Sequence, residues 1–346
     1  MPSVVSEVIL DVEGLCVDYG RLRAVDLVNL QVRKGEIVCV VGESGSGKST
    51  LAGAALRLRR IAEGSIRFHG QDITKLKARQ LNEYRKAVQA VFQDPFGSLN
   101  PRLSIFDILS EPWVIQGSDF PKSEWRVRAV DLLKQVELPP SDLDRYPTEF
   151  SGGQRQRIAI ARALALRSEL IVCDEAVSAL DMSVQRQIVD LLRALRARTG
   201  VALLFITHDL GLVRDFADRV IVMKDGKVVE AGPTAQVFDA PQHLYTRMLM
   251  AASPAQDPDI QRQRRAAFHE LSINGEKEAA RAPVRIRSPG DIPPLSPRAQ
   301  ASLQAWAPLF LSATRRVGVT SELPRAVRIL GGAGEFVSVL HRLVNP

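Results

Sequence analysis

The apolar positions of this chain follow two rhythms. Residues 36–41 (Glu36-Ile37-Val38-Cys39-Val40-Val41), 170–173 (Leu170-Ile171-Val172-Cys173), 201–206 and 219–223 are short, continuous and rich in β-branched residues. Buried parallel strands have this pattern. Between the second and third runs, Val184, Ile188, Leu191, Leu192 and Leu195 recur at helical spacing and form one face of a helix. Strands alternating with helices predict a mainly parallel α/β sheet. Ahead of it, residues 9–12, 17–19, 27–32 and the glycine-bounded 64–70 read as short strands, an antiparallel β appendage reaching to about residue 92. From about residue 94 to 165 the character is helical. There, residues 123–136 carry Val127, Val130, Leu133 and Val136 on one face, with Pro139-Pro140 placed to stop the helix. Lys224-Asp225-Gly226-Lys227 predicts a hairpin turn.

Past residue 253 both rhythms fade. Ten of the chain's 20 prolines lie in residues 254–346, and 254–300 reads as irregular and exposed. Residues 326–343 are apolar enough for one short helix or strand. The chain thus divides into a domain at 8–253, with a helical insert at about 94–165, and an extension at 254–346.

Composition narrows the setting. At 346 residues and 45% hydrophobic the chain can bury a sizeable core. No apolar run approaches the ~20 residues that span a bilayer. The start, Met1-Pro2-Ser3-Val4-Val5-Ser6-Glu7, lacks the basic-then-apolar layout of a signal peptide, so a cytoplasmic chain is expected unless a partner holds it at a membrane. Cys16, Cys39 and Cys173 fall in predicted strands without CxxC spacing and read as buried, reduced thiols. The formal charge is +7, but residues 254–346 hold 13 Lys+Arg against 8 Asp+Glu, so +5 of it lies in the extension. The remainder is near neutral and offers no basic stripe, so no nucleic-acid partner is expected.

Three stretches carry candidate chemistry. Gly42-Glu43-Ser44-Gly45-Ser46-Gly47-Lys48-Ser49-Thr50 fits the phosphate-loop pattern between a strand and helix-forming residues. Its glycines let successive N–H groups point inward at phosphate oxygens, and the following helix adds the positive end of its dipole. Lys48 is placed to reach the β- and γ-phosphates, and the Ser49 hydroxyl to ligate Mg²⁺. The strand at 170–173 runs into Asp174-Glu175, the layout for a Mg²⁺ aspartate followed by a carboxylate that accepts a proton from, or orients, attacking water; it is also a common way for a strand to end. Ser151-Gly152-Gly153-Gln154 opens a strong helix and is either a plain N-cap or a second anion site. Two phosphate-binding elements in one chain could serve one nucleotide if two chains faced head to tail.

Taken together, these stretches resemble the nucleotide-binding subunit of an ABC transporter. Gly42 to Thr50 matches the Walker A loop, Gln93 in Val91-Phe92-Gln93-Asp94-Pro95 the Q-loop, and Ser151 to Gln154 the signature motif, with Phe150 where leucine is usual. Asp174-Glu175 matches Walker B and its catalytic glutamate, and Ser178-Ala179-Leu180-Asp181 the D-loop. His208 in Ile206-Thr207-His208-Asp209 matches the H-loop, and Tyr19 stands where the family sets an aromatic ring against adenine. Alone, Gln93, His208 or Tyr19 would read as an ordinary polar or aromatic residue; their order along residues 9–232 carries the match. Residues 91–102, 174–181 and 240–247 (Ala240-Pro241-Gln242-His243-Leu244-Tyr245-Thr246-Arg247) are similar to segments of oligopeptide/dipeptide importer ATPases. Many of those carry a Pro-x-Gly-Cys…Cys segment in the tail; here no cysteine follows Cys173, which argues against a cluster or metal there.

The resemblance implies a P-loop NTPase fold that binds and hydrolyses ATP with Mg²⁺. Lys48, Glu175 and His208 would be catalytic, and Ser49, Gln93 and Asp174 would hold the metal. Tyr19, residues 42–50 and Gln93 would line the ATP site. Ser151, Gly152, Gly153 and Gln154 would contact the nucleotide of a second chain, and Asp181 would couple the two sites. It implies as partners two transmembrane permease subunits, a second copy or a sister ATPase, and indirectly a solute-binding protein, at the cytoplasmic face of the cell membrane. The importer reading, with peptides or a related small solute as cargo, stands beside an alternative: an ATPase subunit of a non-transport complex, such as phosphonate-breakdown machinery or another soluble ABC protein.

Overall fold

The computed structural model describes residues 7–252, which belong to one compact unit; the expectations for 254–346 lie outside the described residues. A six-stranded sheet forms its centre, in the order β10-β9-β3-β8-β7-β6. The strands are β3 (Ile37–Val41), β6 (Val88–Phe92), β7 (Leu170–Asp174), β8 (Ala202–Ile206), β9 (Arg219–Lys224) and β10 (Lys227–Pro233). All neighbours pair in parallel except β9 and β10, which form an antiparallel hairpin. Its turn is Asp225-Gly226, both residues at positive φ (50° and 80°), as the Asp-Gly pair predicts.

The continuous apolar runs follow from burial on both faces. In β3, Ile37, Cys39 and Val41 point into one core, together with Cys173, Phe205 and Val222. Val38 and Val40 point into the other, with Val172, Leu204 and Ile221. All three cysteines are free and buried.

The second core is closed by helix α1 (Lys48–Ala55) and a four-stranded antiparallel sheet in the order β2-β1-β4-β5, with β1 at Val8–Tyr19, β2 at Leu22–Arg33, β4 at Glu63–Phe68 and β5 at Gln71–Asp72. Two short strands were expected in residues 9–19, but β1 runs through, with register shifts against β2 between Val12 and Leu15 and between Leu15 and Val17. The polar Glu13-Gly14 step reads as a break in the pattern, yet the backbone absorbs it as a bulge. Helix α1 also ends earlier than its apolar run suggests: Arg57 takes φ +57°, and the N–H groups of Leu58 and Arg59 both donate to the Gly53 carbonyl.

The remaining helices are α2 (Ala78–Ala87), α3 (Pro95–Ser98), α4 (Ile105–Gln116), α5 (Trp125–Gln135), α6 (Gly152–Leu164), α7 (Met182–Thr199), α8 (Leu210–Phe216), α9 (Thr234–Asp239) and α10 (Leu244–Ala252). Four of them, α3 to α6, make up the helical insert. Helix α5 differs from expectation in its inward face. Trp125, Ala129, Leu132 and Leu133 are buried, whereas Val127 is 64% exposed. The large ring decides the rotation: Trp125 packs against Trp113 at 5.6 Å between centroids, and Val127 sits two residues on, roughly opposite on a helix. The helix stops at Gln135 because Glu137 turns to φ +60°, before either proline. Helix α4 is tied to α6 by the Trp113 indole N–H, which donates to the Ala165 carbonyl at 2.8 Å.

Candidate nucleotide site

Parallel strands bring their C-terminal ends to one edge, where open α/β sheets bind ligands. Val40, Ile206, Asp174 and Phe92 pair in one row across β3, β8, β7 and β6. Just beyond this row the chain places Gly42 after β3, Glu175 after β7, Gln93 after β6 and His208 after β8. Four segments far apart in sequence are thus aligned by strand register alone.

The loop after β3 wraps the start of α1. Gly47 caps the helix at φ +99°, and a Cβ there would lie 2.4 Å from the Ala24 carbonyl oxygen, so no other residue fits. The Ser46 carbonyl accepts the N–H of Gly226 at 3.1 Å, and the Gly226 carbonyl accepts that of Asp26 at 2.9 Å. The β9–β10 turn therefore braces the loop against β2. Lys48 is buried, and its ammonium donates to the carbonyls of Gly42 (2.9 Å) and Glu43 (2.7 Å) and to Ser46 Oγ at 3.4 Å. Burial lowers its pKa, opposed by the charges of Glu175, Asp174 and Glu43. The loop's Glu43, Ser44 and Gly45 are exposed, and Thr50 lies in the first turn of α1.

Ser49 and Asp174 are in direct contact: Ser49 Oγ donates to Asp174 Oδ1 at 2.9 Å. Burial raises the Asp174 carboxyl's pKa, the Ser49 hydroxyl acts against this, and Glu175 adds to it. Glu175 takes the left-handed conformation (φ 49°), which is uncommon for a residue with a Cβ. Its N–H donates to Ile206 O at 3.0 Å, and its carbonyl accepts both the N–H and the hydroxyl of Ser178. This tight turn aims the carboxylate toward His208, whose Nδ1 lies 3.9 Å from Glu175 Oε2. Gln93 is exposed and follows Phe92, the residue that pairs with Asp174. Tyr19 ends β1, 43% exposed, with the Arg59 guanidinium 5.6 Å from its ring centre.

The Ser-Gly-Gly-Gln stretch occupies a different place. Ser151 is the N-cap of α6: its hydroxyl accepts the N–H of Gln154 at 3.3 Å, and Gln154 Oε1 accepts the N–H of Ser151 at 3.0 Å. Asp181 caps α7 by accepting the N–H groups of Ser183 and Val184 at 3.1 and 3.0 Å. The two caps are packed together. A Cβ on Gly153 would meet Val184 Cγ1 at 2.5 Å, and one on Gly152 would meet Leu180 Cδ2 at 3.2 Å. Among the described residues no hydrogen bond joins 151–154 to the loop at 42–50.

Comparison with known proteins gives this geometry a family. The profile described as ABC transporter matches residues 25–178, and that described as Oligopeptide/dipeptide transporter, C-terminal region, matches residues 229–276. The oligopeptide transport ATP-binding protein OppF of Salmonella typhimurium is 46% identical over 249 residues, covering 72% of this chain and 75% of its own. The chain belongs to the ATP-binding subunits of ABC transporters. Within that family, a Brucella ovis protein provisionally named for peptide import is 48% identical over 260 residues, 74% of this chain and 82% of its own. A solved ATP-binding cassette, dimeric, in a post-hydrolysis state and bound to ADP and Pi, superposes with a TM-score of 0.58. It is 30% identical and covers 65% of this chain and 99% of its own.

One contact in this ABC subunit was not anticipated from sequence. The Tyr245 hydroxyl accepts the N–H of Glu43 in the phosphate loop at 3.1 Å. The surrounding residues 240–247 carried a family resemblance, but no sequence signal tied this ring to a loop 202 residues away.

Proposed function

We propose that this chain binds and hydrolyses ATP to energise an ABC importer for peptides, as one of two facing cassettes on the cytoplasmic side of the cell membrane. The observation that carries the reading is the Ser49–Asp174 contact of 2.9 Å, with the Glu175 carboxylate and His208 next to it on one sheet edge. Two hard oxygen donors side by side, one a carboxylate, suit Mg²⁺. Ser49, Asp174 and Gln93 would hold that ion, which would supply charge neutralisation at the phosphates.

The chain's own groups divide the remaining work. Lys48 stays held by the Gly42 carbonyl and turns its other donors from Glu43 and Ser46 to phosphate oxygens, and the loop N–H groups of residues 44–50 cradle them. Glu175 accepts the proton of the attacking water, and His208 holds the geometry at the γ-phosphate. Tyr19 stacks on the base. Ser151, Gly152 and Gly153 face the nucleotide of the second cassette, with Gln154 bracing their turn and Asp181 linking the two sites; the dimeric form of the related cassette supports this pairing. Residues 8–253 form the ATPase domain and 254–346 an extension of the peptide-importer type, which the C-terminal profile supports.

No helix of the described residues is long and apolar enough to cross a membrane. Import therefore calls for two permease subunits, fed by a solute-binding protein. The names of the relatives favour peptide import over a non-transport complex. The test is Glu175→Gln in the full chain. It should bind ATP, lose turnover by about 10²-fold or more, and accumulate as an ATP-bound dimer; near-normal turnover would remove Glu175 as the base. Gentle solubilisation of the tagged chain should bring down two polytopic membrane proteins, whereas soluble enzymes alone would remove transport.

A further inference from the structure

The contact between Tyr245 and the phosphate loop has a specific geometry. The N–H of Glu43 and the carbonyl of Gly42 belong to the same peptide group, which is planar, so fixing one fixes the direction of the other. Tyr245 holds the N–H end at 3.1 Å. At the opposite end, the Gly42 carbonyl accepts the Lys48 ammonium at 2.9 Å. One peptide plane is therefore clamped between a phenol from the C-terminal region and the lysine of the loop.

The phenol is itself firmly mounted. Its residue is 6% exposed, and the Lys224 ammonium lies 4.9 Å from the ring centre. Helix α10 is pinned at its start by Glu230 of β10, whose carboxylate accepts the N–H groups of Gln242 (2.8 Å) and His243 (3.0 Å). His243 Nδ1 then accepts the N–H of Tyr245 at 3.1 Å. Lys224 adjoins the Asp225-Gly226 turn that braces Ser46. Strand β9, its turn and α10 thus converge on one loop, and Tyr245 is the only one of these contacts made by a side-chain polar group from α10.

We propose that Tyr245 is a positioning residue of the nucleotide site, whose hydroxyl fixes the Gly42–Glu43 peptide plane and through it the Lys48 ammonium. This makes residues 229–252, which belong to the region matched by the C-terminal transporter profile, a determinant of nucleotide affinity. It rests on the reading of residues 42–50 as the ATP site. A loop held in one conformation before binding spends less of the binding energy on ordering, so the hydroxyl acts on affinity rather than on the chemical step.

The experiment compares the full-length chain with Tyr245→Phe, which keeps the ring, its packing and the Lys224 contact. Two readouts are taken. Amide exchange of nucleotide-free protein should speed up at Glu43 by about 3–10-fold, the range a single neutral hydrogen bond commands, while β3 amides keep the parent's protection. ATP titration should show Kd weakened by about 3–10-fold, with KM raised in parallel and kcat within about 2-fold. Unchanged exchange at Glu43 together with an unchanged Kd overturns the proposal. So does a loss of kcat with Kd intact, or a loss of protection throughout β3, which would make the hydroxyl a general support of the fold. A parent chain that binds no ATP would overturn the ATPase reading instead, and Glu43 exchange would still decide whether Tyr245 orders the loop.

Discussion

The two candidate phosphate-binding regions of this molecule are built in opposite ways. Around the loop at 42–50, side chains from separate strand ends already meet: Ser49 touches Asp174, Glu175 leans toward His208, and Lys48 is wrapped by the loop's own oxygens. Around Ser151 the polar side chains are turned inward on their own helix start, and the glycines serve to bring α6 close to α7. The first region is the proposed reaction centre, and its side chains are already assembled within one chain. The second offers backbone and one hydroxyl, and on the proposed reading it acts only opposite another chain. Side-chain deletions should therefore report on one region, and packing changes on the other.

The largest separation should come from Lys48→Ala. Removing the buried ammonium deletes a charge aimed at the phosphates, so ATP affinity and turnover should fall together by about 10²–10³-fold. Equilibrium titration with a fluorescent ATP analogue checks this, and a loss below tenfold would put the loop's backbone, not its lysine, in charge. Gly153→Ala should split the two quantities. The new methyl group collides with the stiff Val184 side chain and forces the helix starts apart, an overpacking that costs about 1–3 kcal/mol. Turnover should drop about tenfold while the Kd of the single chain stays within about 2-fold. Equal loss of both would erase the distinction between the regions.

The smallest effect concerns pH. The Ser183 hydroxyl, with the Val184 N–H, holds the Asp181 carboxyl below the ordinary carboxylate range. A depressed carboxyl stabilises the fold above its unfolded pKa, and this contribution is lost as pH falls through the folded value. Thermal melts in a pH series should therefore show the parent losing more stability than Asp181→Ala on acidification below about pH 4, with the two curves parallel above it. Parallel curves throughout would deny the cap a role.

Much of this could be read in advance where a local pattern carries the information. The strand into Gly42 and the strand into Asp174 are recognisable because four or five consecutive apolar residues have few other homes, and the Asp225-Gly226 turn because its backbone needs positive φ. The errors arise where a distant partner decides. Val127 fits the helical face as well as Trp125 does by spacing, and only the aromatic contact with Trp113 turns it outward. Nothing local in Gly153 announces Val184, nor does anything near Glu43 announce Tyr245. Contacts of that kind are set by how whole helices and loops pack, which joins segments that the sequence keeps apart.

The bracing of the phosphate loop also sets an order of events in synthesis. Residues 42–50 leave the ribosome before either of their braces: the N–H that holds Ser46 belongs to Gly226, and the phenol that holds Glu43 comes 202 residues after it. Domains fold as units while the chain is being made, from the N-terminal end. Here the loop at 42–50 is made well before the segments that brace it. A growing chain carries the loop's sequence for about 200 residues of synthesis before it carries the contacts that hold the loop's shape.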